Sequence, residues 1–177
     1  AAHLQLAHFF YKRVFLDPLA EARGDPLAEV HANQHLPIVV GAAAGFEIEH
    51  NATLANISAR FSCLLDQRYS YATGGSNVNE HWQYPGQLGD AVATAFDEAS
   101  HAPHNSNGFH TEETCTQYNA LKLTRHRLRW GPTVALADEY EVKLLNGILG
   151  VQQPGVIGSY SYMTPLGRGV NRNRWDW

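Results

Sequence analysis

Apolar positions fall at helical spacing over most of the chain. Leu4, Ala7, His8, Tyr11 and Phe15 recur three and four residues apart and predict a helix over 4–15. Asp17-Pro18 is expected to end it, because proline disfavours helical geometry in the residue before it. Arg23-Gly24-Asp25-Pro26 predicts a turn, followed by a short helix over 27–32. Pro37 suits a first helical position and opens a small-residue helix reaching Glu49. A fourth helix is expected over 51–69, with Leu54, Ile57, Phe61 and Leu64 or Leu65 as its apolar stripe.

The periodicity then stops. Residues 70–110 are rich in Gly, Asn, His and Pro. A loop of roughly 40 residues is too long to be a plain connection in a compact domain, and Trp82, Tyr84, Phe96 and Phe109 argue against disorder. A short helix is expected within it over 89–100. Thr111 is expected to cap the next helix, with Glu112 and Glu113 in its first turn and Gly131-Pro132 stopping it after Trp130. A further helix over 134–150 places Ala137, Tyr140, Glu141, Leu144 and Ile148 on one face, and residues 156–164 are strand-like. Helix hairpins joined by long loops predict a mainly α fold, buried as a bundle or as a toroid of helix pairs.

Composition narrows the function. At 177 residues the chain is one domain or part of one. A hydrophobic share of 44% with 17% charged residues excludes a disordered chain and a coiled coil. The net charge of −4 leaves no basic excess to attract nucleic acid or an anionic membrane, so neither is an expected partner. The longest apolar runs, such as 37–44, are too short to span a bilayer. Cys63 and Cys115 cannot make a disulfide framework. The 10 His, 8 Tyr and 4 Trp suit a polar ligand pocket. The sequence starts in mid-helix without Met and stops after Trp177 without a terminal element, so 1–177 is expected to be a fragment of a single domain.

Several groups carry candidate chemistry. A carboxylate and a thiol two residues apart, Glu113 and Cys115, can share one Zn²⁺ only where the helix is unwound, because i and i+2 face apart on a regular helix. The plain alternative is two solvated glutamates and a small buried cysteine. Glu80 lies in the long loop beside Trp82, where an apolar ring would raise its pKa and suit it to general-acid work. Glu141 shares the apolar face of its helix and so is expected to line a pocket, whereas Glu139 pairs with Lys143 at the surface. His31 and His35 bracket Asn33-Gln34, a polar cluster that suits sugar hydroxyls as well as caps and turns. The basic run 124–130 is expected to be a solvated helix end.

In order along the chain, His31-Ala-Asn-Gln-His-Leu-Pro37, Tyr71-Ala-Thr-Gly-Gly-Ser-Asn77, Glu112-Glu-Thr-Cys-Thr-Gln-Tyr-Asn119, Leu121-Lys-Leu-Thr-Arg-His126, Tyr140-Glu-Val-Lys-Leu-Leu-Asn-Gly147 and Tyr162-Met-Thr-Pro-Leu166 resemble glycoside hydrolase family 127, the β-L-arabinofuranosidases. The resemblance spans nearly the whole chain. It implies part of an (α/α)6 barrel, with a short β segment near Tyr162. It implies retaining cleavage of terminal β-L-arabinofuranosides in an arabinose-containing oligosaccharide or glycan. In such enzymes Zn²⁺ is held by one Glu and three Cys, one of which is the nucleophile. Glu113 and Cys115 match two of those ligands. Glu80 matches the general acid/base, and Glu141 and Tyr162 match pocket residues. His31 and His35 are further substrate-binding candidates. An adjacent cysteine pair holding the nucleophile is expected after the Tyr162 strand, and the chain reaches Trp177 without one. The rival expectations are a non-catalytic carbohydrate-binding remnant and an epimerase or lyase on the same helical toroid.

Overall fold

A computed structural model describes residues 2–89, 96–97, 102–103, 111–164 and 166. Its described helices are α1 (Ala2–Phe9), α2 (Arg13–Glu21), α3 (Ala32–Glu49), α4 (Ala52–Leu64), α5 (Thr114–Trp130) and α6 (Val134–Leu144). α4 and α6 each run on into a π-helical turn, Leu65–Tyr69 and Leu145–Leu149. Two short antiparallel pairs complete the described structure: β1 (Phe96–Asp97) with β2 (Ala102–Pro103), and β3 (Glu112–Glu113) with β4 (Met163–Thr164).

Short connections make neighbouring helices into hairpins. α3 and α4 are joined through His50 and Asn51, and the Asn51 side chain accepts from Thr53 N at 3.0 Å to cap α4. α5 and α6 are joined through Gly131-Pro132-Thr133, and Thr133 Oγ1 accepts from Leu136 N at 3.2 Å. α3 packs on both α4 and α5, and α5 packs on α6. This is the mainly α, helix-pair architecture of part of an (α/α)6 barrel. The core lies between these helices: Phe15, Leu16 and Leu19 from α2, Leu36, Val39 and Ala43 from α3, Ile57 and Phe61 from α4, and Leu123 from α5. Tyr69 and Trp82 join it, with Phe61 and Trp82 in edge-to-face contact at 5.5 Å.

Several expected boundaries move, each for a reason of packing. The helix expected over 4–15 breaks between Phe9 and Arg13. α1 buries nothing, and the new direction of α2 carries Phe15, Leu16 and Leu19 into the core. Pro18 and Pro37 lie inside helices rather than at their ends. Burial of Ala32 and Leu36 extends α3 ahead of Pro37, offsetting the one backbone hydrogen bond a proline removes. No helix forms over 27–31, because that backbone pairs with the loop ahead of it: Glu29 N donates to Trp82 O (2.8 Å), Trp82 N to Val30 O (3.2 Å) and Ala32 N to Glu80 O (2.8 Å). Leu88 and Gly89 are helical, residues 90–95 and 98–100 lie outside the described residues, and Phe96–Asp97 is a strand.

Thr111 does not cap α5. Its hydroxyl donates to Thr164 O at 3.1 Å, and α5 begins at Thr114, two residues beyond the start of β3. On α6 the buried positions are Leu136 and Lys143, continued by Gly147 in the π turn, whereas Ala137 and Glu141 are exposed. The expected apolar face is therefore not the buried one. Residues 156–161 are not a strand; Gly155 and Gly158 turn the chain at φ +80° and +82°, and only Met163–Thr164 is extended into a ladder. The basic run stays partly solvated, with Arg125 and Arg129 exposed, but is also anchored to α3. His126 Nδ1 lies 2.9 Å from Glu47 Oε1, Trp130 Nε1 donates to the same oxygen at 3.0 Å, and Arg129 donates to Glu47 Oε2 at 3.3 Å.

Candidate functional site

The β3–β4 ladder sets one half of the site. Glu113 pairs with Met163, and the next residue, Thr114, donates its N–H to Tyr162 O at 2.8 Å. This register brings Tyr162 beside the start of α5. Glu113 is the last extended residue and Cys115 the second helical one, so the pair straddles the point where strand becomes helix. The i and i+2 side chains can therefore meet, which a continuous helix would forbid. Glu113, Cys115 and Tyr162 lie in mutual hydrogen-bonding range.

Electrostatics follow from that crowding. Burial above all, with Glu113 adding to it and hydrogen bonds from Tyr162 and Thr116 opposing it, pushes the half-buried Cys115 thiol up to about 11. Tyr162 is also raised, first by burial and then by Cys115 and Glu113. Glu113 is 2% exposed. Its Oε2 accepts from Asn77 Nδ2 and from Thr116 Oγ1, both at 3.2 Å. A fixed carboxylate beside a thiol is a donor set that suits a borderline cation such as Zn²⁺, and a cation would favour the thiolate. The described residues hold no group of three His, Cys, Asp or Glu side chains able to close on a metal.

The loop after the first π turn makes the other half. Val78 N donates to His81 O at 2.9 Å and His81 N to Val78 O at 3.0 Å, closing a two-residue hairpin turn over Asn79 and Glu80. Both central residues have positive φ, +46° and +70°, as a type I′ turn requires. The turn projects Glu80 beside His31, whose Nε2 lies 3.6 Å from Glu80 Oε2. His31 also stacks edge-to-face on His81 at 5.2 Å, and its Nδ1 is buried without a partner among the described residues. The ring expected to press on Glu80 is elsewhere: Trp82 is fully buried in the core and donates to Ser76 Oγ at 3.1 Å. The Glu80 carboxyl is 47% exposed, with an imidazole as its near neighbour.

His35 points away from this turn. It stacks on Phe15 at 4.8 Å, with Nδ1 2.8 Å from His31 O and Nε2 2.8 Å from Lys12 Nζ. Glu141 is exposed on α6. Glu139 and Lys143 pair as expected, at 2.9 Å, but not at the surface: the Lys143 side chain is 3% exposed and also reaches Asp66 at 3.2 Å.

Two residues that sequence patterns did not single out hold the halves together. Asn77 ties the hairpin loop to Glu113. Glu112, buried under the same loop, accepts from Gly75 N at 3.2 Å. A Cβ at Gly75 would lie only 2.8 Å from Glu112 Oε1, so glycine is needed for that approach. Both residues sit inside the quoted motifs, but their partners are more than thirty positions away in sequence.

The family model described as the β-L-arabinofuranosidase, GH127 catalytic domain matches residues 1–177. The chain belongs to glycoside hydrolase family 127. A search of curated proteins matches none. Membership makes the protein a glycoside hydrolase domain, with a carbohydrate as its substrate class. Within that family the strand–helix junction at Glu113 and the hairpin at Glu80 are the chemically equipped part of this chain.

Proposed function

We propose that the chain is the catalytic segment of a retaining hydrolase that removes terminal β-L-arabinofuranosyl residues from an oligosaccharide or glycan. The observation that carries this reading is the meeting of Glu113, Cys115 and Tyr162 at the start of α5, tied through Asn77 to the turn bearing Glu80. Glu80 protonates the glycosidic oxygen as its bond to the anomeric carbon breaks. A cysteine sulfur outside this chain forms the new bond to that carbon. In the second step Glu80 takes a proton from water, whose oxygen displaces the sulfur and restores the starting configuration. Glu113 and Cys115 would hold Zn²⁺, completed by ligands outside the chain. When bound, the metal keeps thiolates deprotonated near neutral pH. In this reading Tyr162 orients the sugar, and His31 holds the Glu80 carboxyl.

The test is hydrolysis of an aryl β-L-arabinofuranoside by the intact protein, followed by proton NMR. The proposal expects turnover with the β anomer appearing first. Turnover of only the α-L anomer, or first release of the inverted sugar, would overturn it.

A further inference from the structure

Asn77 is 1% exposed and sits between the two halves of the site. Its Nδ2 donates to Glu113 Oε2 at 3.2 Å. A carboxylate only accepts, so this bond fixes which way the amide faces. The amide oxygen then points elsewhere, and Asn77 Oδ1 is buried without a partner among the described residues. Thr116 Oγ1 donates to the same Glu113 oxygen at 3.2 Å. Both donors bond the same oxygen, Oε2, so together they fix the rotation of the carboxylate. The two donors differ in what else they hold. Thr116 lies one turn along α5 from Glu113, and its hydroxyl holds the carboxylate and lies 4.0 Å from Cys115 Sγ, with no bond to the loop. Asn77 lies on the loop, next to Val78, whose backbone closes the turn that presents Glu80.

We propose that Asn77 is a positioning residue that couples the metal-binding carboxylate of Glu113 to the placement of the Glu80 turn. This rests on the reading of Glu113 as a metal ligand and Glu80 as the acid/base. Removing the Asn77 amide frees the Glu113 carboxylate to rotate and frees the turn from its side-chain anchor. Removing the Thr116 hydroxyl frees the carboxylate and the Cys115 contact but leaves the turn anchored.

The experiment uses the intact protein with two readouts. One is a Co²⁺ titration followed by the sulfur-to-metal charge-transfer absorbance. The other is amide hydrogen exchange over residues 78–82. Asn77→Ala is expected to weaken Co²⁺ binding about tenfold or more, the scale of such outer-shell losses, and to speed exchange over 78–82. Thr116→Val is expected to weaken Co²⁺ binding and leave that exchange unchanged. A purely structural defect would speed exchange without moving the metal titration. Asn77→Ala with parental Co²⁺ affinity, or with parental exchange, overturns the proposal. A parent protein that takes up no Co²⁺ counts against the metal reading instead. In that case exchange alone decides the coupling, with faster exchange in both Asn77→Ala and Glu113→Ala expected and parental exchange in either overturning it. Should Asn77→Ala fail to fold, Asn77→Ser, too short to reach Glu113, is read by the same criteria.

Discussion

Replacing Glu80 by glycine should leave the protein more stable than replacing it by glutamine, although both remove the candidate acid/base. Glu80 holds φ at +70° in the second central position of its hairpin turn, where glycine is the favoured residue. A left-handed conformation costs an L-residue about 1–2 kcal/mol, and the extra unfolded-state freedom of glycine takes back about 0.5–1 kcal/mol. The loss of the His31 contact at 3.6 Å is removed from the comparison by using Glu80→Gln as the reference, since both variants lose the charge. On the mid-values of these costs, Glu80→Gly should therefore exceed Glu80→Gln by about 0.5–1 kcal/mol. For a chain of this size that is a melting difference of about 1–4 °C. Parallel urea and thermal melts of the two variants measure it. Equal stability, or a less stable glycine variant, would refute the claim that the turn holds Glu80 under strain. A strained non-glycine residue kept at such a position is what a functional constraint leaves behind.

Other expectations follow from burial and charge. Asp66 lies where burial raises its pKa from 3.8 to about 6, opposed by Lys143 and reinforced by Glu139. The folded protein then holds this proton more tightly than the unfolded chain, so the contribution of Asp66 to stability is full below pH 3.8 and is lost as pH rises through about 6. Asp66→Asn should flatten that part of the stability profile in urea melts from acid to neutral pH, and an unchanged slope would contradict the assignment. Phe61 is fully buried against Phe15 and Trp82. Phe61→Ala should cost about 3–5 kcal/mol, and a loss under about 1 kcal/mol in denaturant titrations would place it outside the core.

The helices over 52–69 and 114–130 were legible in outline because local signals agreed: Ile57, Phe61 and Leu65 as a stripe, and Gly131-Pro132 as a stop. Pro18 and Pro37 misled because core burial of Leu19, Ala32 and Leu36 outweighs a local breaker. The helix start near Glu113 and Cys115 was legible, since only an unwound junction lets i and i+2 meet. Its cap was not, because Thr111 is claimed by Thr164, 53 residues away. The burial of Lys143 escaped notice for a similar reason. Its i,i+4 partner is visible in sequence, but the burial of the pair depends on Asp66, 77 residues earlier. The bond from Asn77 to Glu113 crosses 36 residues and leaves no periodic trace.

The central claim, that Glu80 is the acid/base of a retaining glycosidase, meets its most direct test in leaving-group dependence. Glu80→Gln in the intact protein is compared with the parent on an aryl β-L-arabinofuranoside with an acidic phenol and on an alkyl or sugar-linked one. A leaving group that needs no proton escapes most of the loss, and general-acid help is worth about 10²–10⁴-fold where it is needed. The account predicts a loss of that size in kcat/KM for the alkyl or sugar leaving group and a much smaller one for the acidic phenol. Equal losses on both substrates would contradict it and leave Glu80 a binding or structural residue.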